Sequence, residues 1–146
     1  MIETLGVTKR IYLAGPMQGI PHFNFPRFNA VAAALRANGH TVFNPAEKDN
    51  ERHGKDISAD NASGSVADAK SNHGFCLRTA LSADLKFICE VANVVVLLPG
   101  WEKSQGAQAE WRTALALKSE GMEVIYLTEE LTQLMERAAQ IIAEAA

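Results

Sequence analysis

The feature that most constrains this chain is the apolar run Val94-Val95-Val96-Leu97-Leu98 and the helix it leads into. Five consecutive apolar residues, with three β-branched valines leading, read as a strand buried on both faces. The run stops at Pro99-Gly100, passes through a polar turn, and gives way to a helical pattern from Gln105 to Lys118. A strand buried on both faces and handed directly to a helix belongs to a parallel sheet with helices on either side. In such sheets ligands bind beyond the carboxyl ends of the strands. Ser104, Gly106 and Glu110 therefore lie at the edge where a site is expected. A helix start also offers unpaired N–H groups and the positive end of the helix dipole. Ser104 and Glu110 are six residues apart, so a hydroxyl at the helix start and a carboxylate from its second turn can serve one ligand.

A second handover of this kind occurs near the start. Arg10–Ala14 (RIYLA) reads as a strand and runs into Gly15-Pro16-Met17-Gln18-Gly19-Ile20-Pro21, which continues neither strand nor helix. Gly15 and Gly19 let backbone approach a ligand closely. The spacing is not G-x-G-x-x-G, so no dinucleotide fingerprint is invoked. Asn24–Asn38 is an amphipathic helix, with Pro26 in its first turn and Asn38-Gly39 at its end. Phe23, Phe25 and Phe28 are expected in the core rather than as a base-stacking platform, Phe23 lying nearest the loop. Thr41–Phe43 is a short strand closed by Asn44-Pro45.

Glu47–Gly74 changes character, being rich in Asp, Asn, Ser, Gly, Lys and His. It is expected to be a mobile polar loop or lid, over about 47–75, that closes over a ligand or reaches a neighbouring subunit. His53 and His73 read as solvated, with no metal-ligand spacing near either. Cys76–Ala92 is helical, with Leu77, Leu81, Leu85, Ile88 and Cys89 as its expected apolar stripe and Asp84 in its middle. Glu123–Leu127 is a further strand and Glu129–Ala145 a last amphipathic helix. The alternation implies an α/β fold: a flavodoxin-like or Rossmann-like three-layer sandwich with a mainly parallel sheet of four to five strands. A strand order of 2-1-3-4 places the switch point between the first and third strands, the two that feed the suspect loops.

The 146 residues are expected to form one domain, after a patternless leader at Met1–Lys9. A net charge of −3 gives no reason to expect a nucleic-acid polymer as partner. No apolar run approaches the roughly 20 residues that span a membrane. There is no apolar secretory core at the N-terminus, and Cys76 and Cys89 make no disulfide framework. A cytoplasmic protein is expected, with no metal or cofactor motif.

Tyr12–Met17, Asp84 and Ser104–Glu110 together carry a resemblance. With IYLAGPM-x-G-x-P-x-FN near the start and LLPGWE-x-S-x-GA-x-x-E later, the chain resembles the nucleoside 2-deoxyribosyltransferase superfamily, in particular a phage- and prophage-associated branch of largely uncharacterised proteins. The likeness covers nearly all of the chain outside Glu47–Gly74. It implies glycosyl transfer or glycosidase chemistry on a nucleoside or its 5′-monophosphate. It also implies that Glu110 is the nucleophile, that Asp84 assists at the base or sugar, and that Ser104 binds a 5′-phosphate. Tyr12, Gly15, Pro16, Met17, Gly19, Phe23, Gly100, Trp101 and Gly106 complete the expected binding set. Where the monophosphate hydrolases carry a serine and an arginine in the first loop, this chain has Pro16 and Gln18. Asn93 stands where relatives often have aspartate. The resemblance further implies a homo-oligomer, a dimer or higher, in which a neighbour completes the site.

Cleaving an N-glycosidic bond develops positive charge at C1′, which a carboxylate can stabilise or bond to, while a second group protonates the base. Other readings stay open at several positions. Ser104 reads equally as an N-cap, Trp101 as a base platform or a cover for the sheet edge, and Tyr12 as core or site. Arg78 and Arg112 read as surface-pairing residues. The competing function is a non-catalytic nucleotide sensor or sequestering protein on the same fold. The likeness of PGWEKSQGAQAE to the PGG-x-GT-x-x-E loop of a phosphohydrolase lacks its Gly-Gly and Gly-Thr.

Overall fold

Alternation along β1 (Arg10–Ala14) divides the interior of the protein in two. In a computed structural model, which describes residues 7–146, Ile11 and Leu13 face one apolar cluster while Tyr12 and Ala14 face another. β3 (Val94–Leu97) repeats the division, with Val94 and Val96 on the first side and Val95 and Leu97 on the second. Both strands are buried on both faces, apart from the exposed Arg10 that opens β1, as their apolar runs Ile11–Ala14 and Val94–Leu97 require. β2 (Thr41–Phe43) and β4 (Glu123–Tyr126) flank them, giving a four-stranded, wholly parallel sheet of order β2-β1-β3-β4. Tyr12 stands in register with Phe43 on one side and Val95 on the other.

Helices cover both faces. α1 (Phe25–Ala37) packs with α6 (Glu129–Ala145), and α4 (Leu77–Glu90) with α5 (Gln105–Ala116), completing three layers of the flavodoxin-like kind. Phe28, Val31, Ala32 and Leu35 carry α1 onto the first cluster, each worth about 1–3 kcal/mol of burial. Arg27 reaches across from α1 to Glu129 at 2.5 Å and Glu136 at 2.9 Å. Along α6, Leu134, Ile141 and Ile142 are exposed. Among the described residues no helix is long and apolar enough to cross a membrane. The Met1–Lys9 leader lies largely outside the described residues.

The polar stretch expected as a loop is instead two short helices, α2 (Pro45–His53) and α3 (Val66–His73). Capping supplies what apolar periodicity does not. The Asn44 side chain accepts from Ala46 N–H at 3.0 Å with Pro45 in the first turn, and Ser65 Oγ accepts from Asp68 N–H at 3.1 Å. Gly54 and Gly74, at φ 69° and 70°, end the two helices. Few apolar anchors are needed: Ala46, Ile57 and Ala69 are buried, with Val66 and Phe75 packed alongside. The segment is also tied to the β1–α1 loop. Gly19 N–H donates to Gly64 O and His22 N–H to Asn61 O, both at 2.9 Å, and the His22 ring lies 2.8 Å from Ser58 O.

Candidate active site

One cavity lies beyond the carboxyl ends of β1 and β3, under the α2–α3 segment. Together with the solvent in its open mouth it spans about 740 Å³. Its wall combines an apolar portion, with Phe23, Phe25, Phe28, Ile57, Val66 and Phe75, and a polar one, with Tyr12, Asp49, Asp84, Ser104 and Glu110. None of the lining residues, among those described, is Lys, Arg or His.

Each polar group is positioned by an ordinary feature of the fold. Tyr12 is the middle residue of β1, and its ring is held at 5.4 Å from that of Phe43 and 6.5 Å from that of Phe87. Its hydroxyl donates to Glu110 Oε2 at 2.7 Å. Glu110 projects from the second turn of α5 and is only 6% exposed. Asp84 lies on the buried face of α4 between Ala80 and Ile88, one turn from each. Asp84 is 8% exposed, and its Oδ1 has no hydrogen-bond partner among the described residues. A buried, unpaired carboxylate oxygen is costly, so it marks a place where a ligand donor is wanted.

Burial sets the protonation of this cluster. It pushes Glu110 well above the usual carboxylate range, and the neighbouring Asp84 charge adds to that. Asp84 is raised to about 7, first by burial and then by the charge of Asp49. Asp49 is raised to about 6 by burial, against the pull of its ion pair with Arg52. The Tyr12 phenol is held well above its ordinary value, by burial and then by the Glu110 charge, so it remains a hydrogen-bond donor. Carboxyl groups this close cannot all ionise in the absence of a compensating cation.

Of the residues singled out from sequence, Tyr12, Gly15, Met17, Phe23, Asp84, Ser104, Gly106 and Glu110 meet at this cavity. Pro16, Gly19, Gly100 and Trp101 are not part of its wall. Pro16 is buried behind it, accepting from Asn24 Nδ2 at 3.1 Å, and would crowd a Cβ on Gly100 at 3.2 Å. Trp101 packs at a tilt against Trp111, ring centroids 4.9 Å apart, and against Tyr126 at 5.8 Å, covering the β4 edge of the sheet. Trp111 Nε1 donates to the Tyr126 hydroxyl at 2.8 Å. Arg78 and Arg112 are exposed and away from the wall, Arg112 resting 5.3 Å from the Trp111 ring. Ser104 Oγ accepts from Ala107 N–H at 3.2 Å and so caps α5. Gly15 has a packing reason as well, because a Cβ there would lie 2.7 Å from Leu98 Cβ.

Sequence reasoning missed Asp49, which reaches the cavity from α2, and the aromatic wall given by Phe25, Phe28 and Phe75. The signal for Asp49 was the Asn44-Pro45 helix start, which sets the reach from cap to carboxylate. The three phenylalanines are both core and wall, a combination that an either-or reading excludes. Cys89, placed in the α4 stripe, is exposed, because Ala80, Asp84 and Ile88 define the buried face. Among the described residues, no group of three or more His, Cys, Asp or Glu side chains is arranged to hold a metal ion.

No curated protein and no solved structure matches this chain. Residues 9–126, which run from the residue before β1 to the end of β4, match the family described as a domain of unknown function, DUF4406. The chain belongs to the DUF4406 family.

Proposed function

We propose that this protein is an N-glycosidase or deoxyribosyltransferase of the nucleoside 2-deoxyribosyltransferase kind, breaking or exchanging the base–sugar bond of a nucleoside or its 5′-monophosphate. The observation that carries the reading is the Tyr12–Glu110 hydrogen bond of 2.7 Å beside Asp84, whose Oδ1 is buried without a partner among the described residues. Glu110, the harder of the two to ionise in the free protein, passes its proton to Asp84 as substrate binds, and the freed carboxylate attacks C1′ as the bond to the base breaks. The bonding electrons leave on the base nitrogen, which takes the proton of the Asp84 carboxyl. Tyr12 holds Glu110 in line. Water then attacks C1′ of the glycosyl–enzyme, giving its proton to the Asp84 carboxylate and freeing Glu110; a second base in place of water gives transfer. The aromatic wall of Phe23, Phe25 and Phe75 suits a planar base, and the start of α5 at Ser104–Ala107 suits the 5′ end of the sugar.

The lack of any cationic side chain in the described wall, with Pro16 and Gln18 in the first loop, favours an unphosphorylated sugar within this reading. The second reading is a nucleotide-binding (sensor or sequestering) protein on the same fold without turnover, with the start of α5 as its anion site. Chromatographic base release from a panel of ribo- and deoxyribonucleosides and their 5′-monophosphates, for wild type beside Glu110→Ala, separates the two. Release that disappears in the variant supports the enzyme. Binding without release in both proteins supports the sensor.

A further inference from the structure

Asp49 has no part in the glycosyl-transfer steps, yet it is built into the same cavity. It comes from α2, is 5% exposed, and shares the wall with Asp84 of α4 and Glu110 of α5. Its carboxylate pairs with Arg52, which lies outside the wall. Carboxylates from three separate helices therefore converge on one space, and among the described residues the only cation joined to them is the Arg52 that pairs with Asp49. Asp84 Oδ1 is buried without a hydrogen-bond partner among the described residues, and Asp84 also interacts with Tyr12 and Glu110.

We propose that Asp49, fixed by Arg52, is a positioning residue for the Asp84–Glu110 pair: its negative charge keeps one proton on that pair at neutral pH, so that one member remains an acid while the other serves as nucleophile. This rests on the proposed roles of Asp84 and Glu110. Two carboxyls in one buried site already resist losing their last proton, and a third fixed negative charge raises that cost further. The groups that act on Asp84 are Tyr12 from β1, Asp49 and Arg52 from α2, and Glu110 from α5. Asp49 opposes the loss of the proton, and Arg52 favours it. Burial acts in the same direction as Asp49 and is the larger influence. Asp49 acts on the pair through charge, which an isosteric amide removes without changing shape.

The test is a carboxyl ¹³C titration by NMR of the full chain, for wild type, Asp49→Asn and Asp49→Glu. In wild type the Asp84 carboxyl carbon is expected to show a minor step at the midpoint of Asp49 besides its own. Asp49→Asn removes that step and lowers the Asp84 midpoint by about one pH unit. Asp49→Glu retains both features of the wild type. The alkaline limb of the base-release profile moves to lower pH in Asp49→Asn by the same amount. An Asp84 titration unchanged in Asp49→Asn overturns the inference, as does an equal shift in Asp49→Glu, which would mean packing rather than charge. If Asp49→Asn does not fold, the wild-type titration decides, and a single-step Asp84 curve overturns the inference. Linked titration with no base release from any nucleoside refutes the glycosidase reading and leaves the proton-holding role standing. Base release without linked titration refutes the inference alone.

Discussion

Asp84→Asn is expected to stabilise the protein at alkaline pH while abolishing turnover. The folded-state value of Asp84 is about 7, against an ordinary carboxylate value of 3.8. Between those two values the folded protein holds a proton that the unfolded chain has released. Stability must then fall as pH rises through that window, by about 1.4 kcal/mol per pH unit for one proton. Summed over the window this reaches a ceiling of about 4 kcal/mol at pH 8, a large share of the stability of an ordinary domain. Asparagine keeps the shape and carries no charge to desolvate, so the variant escapes the loss. The assay is urea unfolding of wild type and Asp84→Asn at pH 5, 6, 7 and 8. Wild type should lose stability steadily across the series. The variant should show a shallower decline and a gap over wild type that widens to about 2–4 kcal/mol at pH 8. A wild-type stability that is flat or rises from pH 5 to pH 8 would overturn this linkage, as would a variant deficit of equal size at every pH.

Removing the Tyr12 hydroxyl in Tyr12→Phe should lower base release about 10- to 100-fold, the worth of one hydrogen bond to a buried carboxylate, and lower the thermal melt, because Glu110 Oε2 is left buried without that donor. Ser104→Ala takes away the cap that accepts from Ala107 N–H and should cost about 1 kcal/mol in urea unfolding. Gly64→Ala places a Cβ 2.2 Å from Ile20 O in a residue at φ 69°. It should loosen the tie between the α2–α3 segment and the β1–α1 loop, read as faster hydrogen exchange at the Gly19 and His22 amides; unchanged exchange there would show that the tie does not depend on this close approach.

The parts of the fold that were legible were those whose burial is written as apolar pattern. β1 and β3 are buried on both faces, so their composition left little choice, and the observed strand order is one that the alternation and right-handed crossovers allow. Ser104 and Glu110 were legible because a strand-to-helix handover fixes where a cap and a second-turn residue must lie. α2 and α3 were not, because they are secured by Asn44, Ser65, Gly54 and Gly74 and by a few buried residues rather than by a stripe. Asp49 was lost with them, since it reaches the cavity only if Pro45–His53 is helical. For Trp101 the sequence supports a base platform and a cover for the sheet edge equally, and the structure has the second. Trp101 stands next to the site in sequence, but the 3₁₀ turn Trp101–Lys103 swings its ring onto Trp111 and Tyr126. Position at a loop tip says that a side chain is near an edge; the turn it sits in decides which side of the edge it takes.

If Glu110 is the nucleophile, its carboxylate bonds covalently to C1′. A 2-fluoro-2-deoxynucleoside, whose fluorine slows hydrolysis of a glycosyl–enzyme, should trap that bond for peptide mass spectrometry. A fluorosugar adduct is expected on the peptide containing Glu110, and is expected to be absent in Glu110→Gln and in Glu110→Ala. An adduct on Asp49 or Asp84, or turnover of nucleoside undiminished in Glu110→Gln, would contradict the nucleophilic role of Glu110.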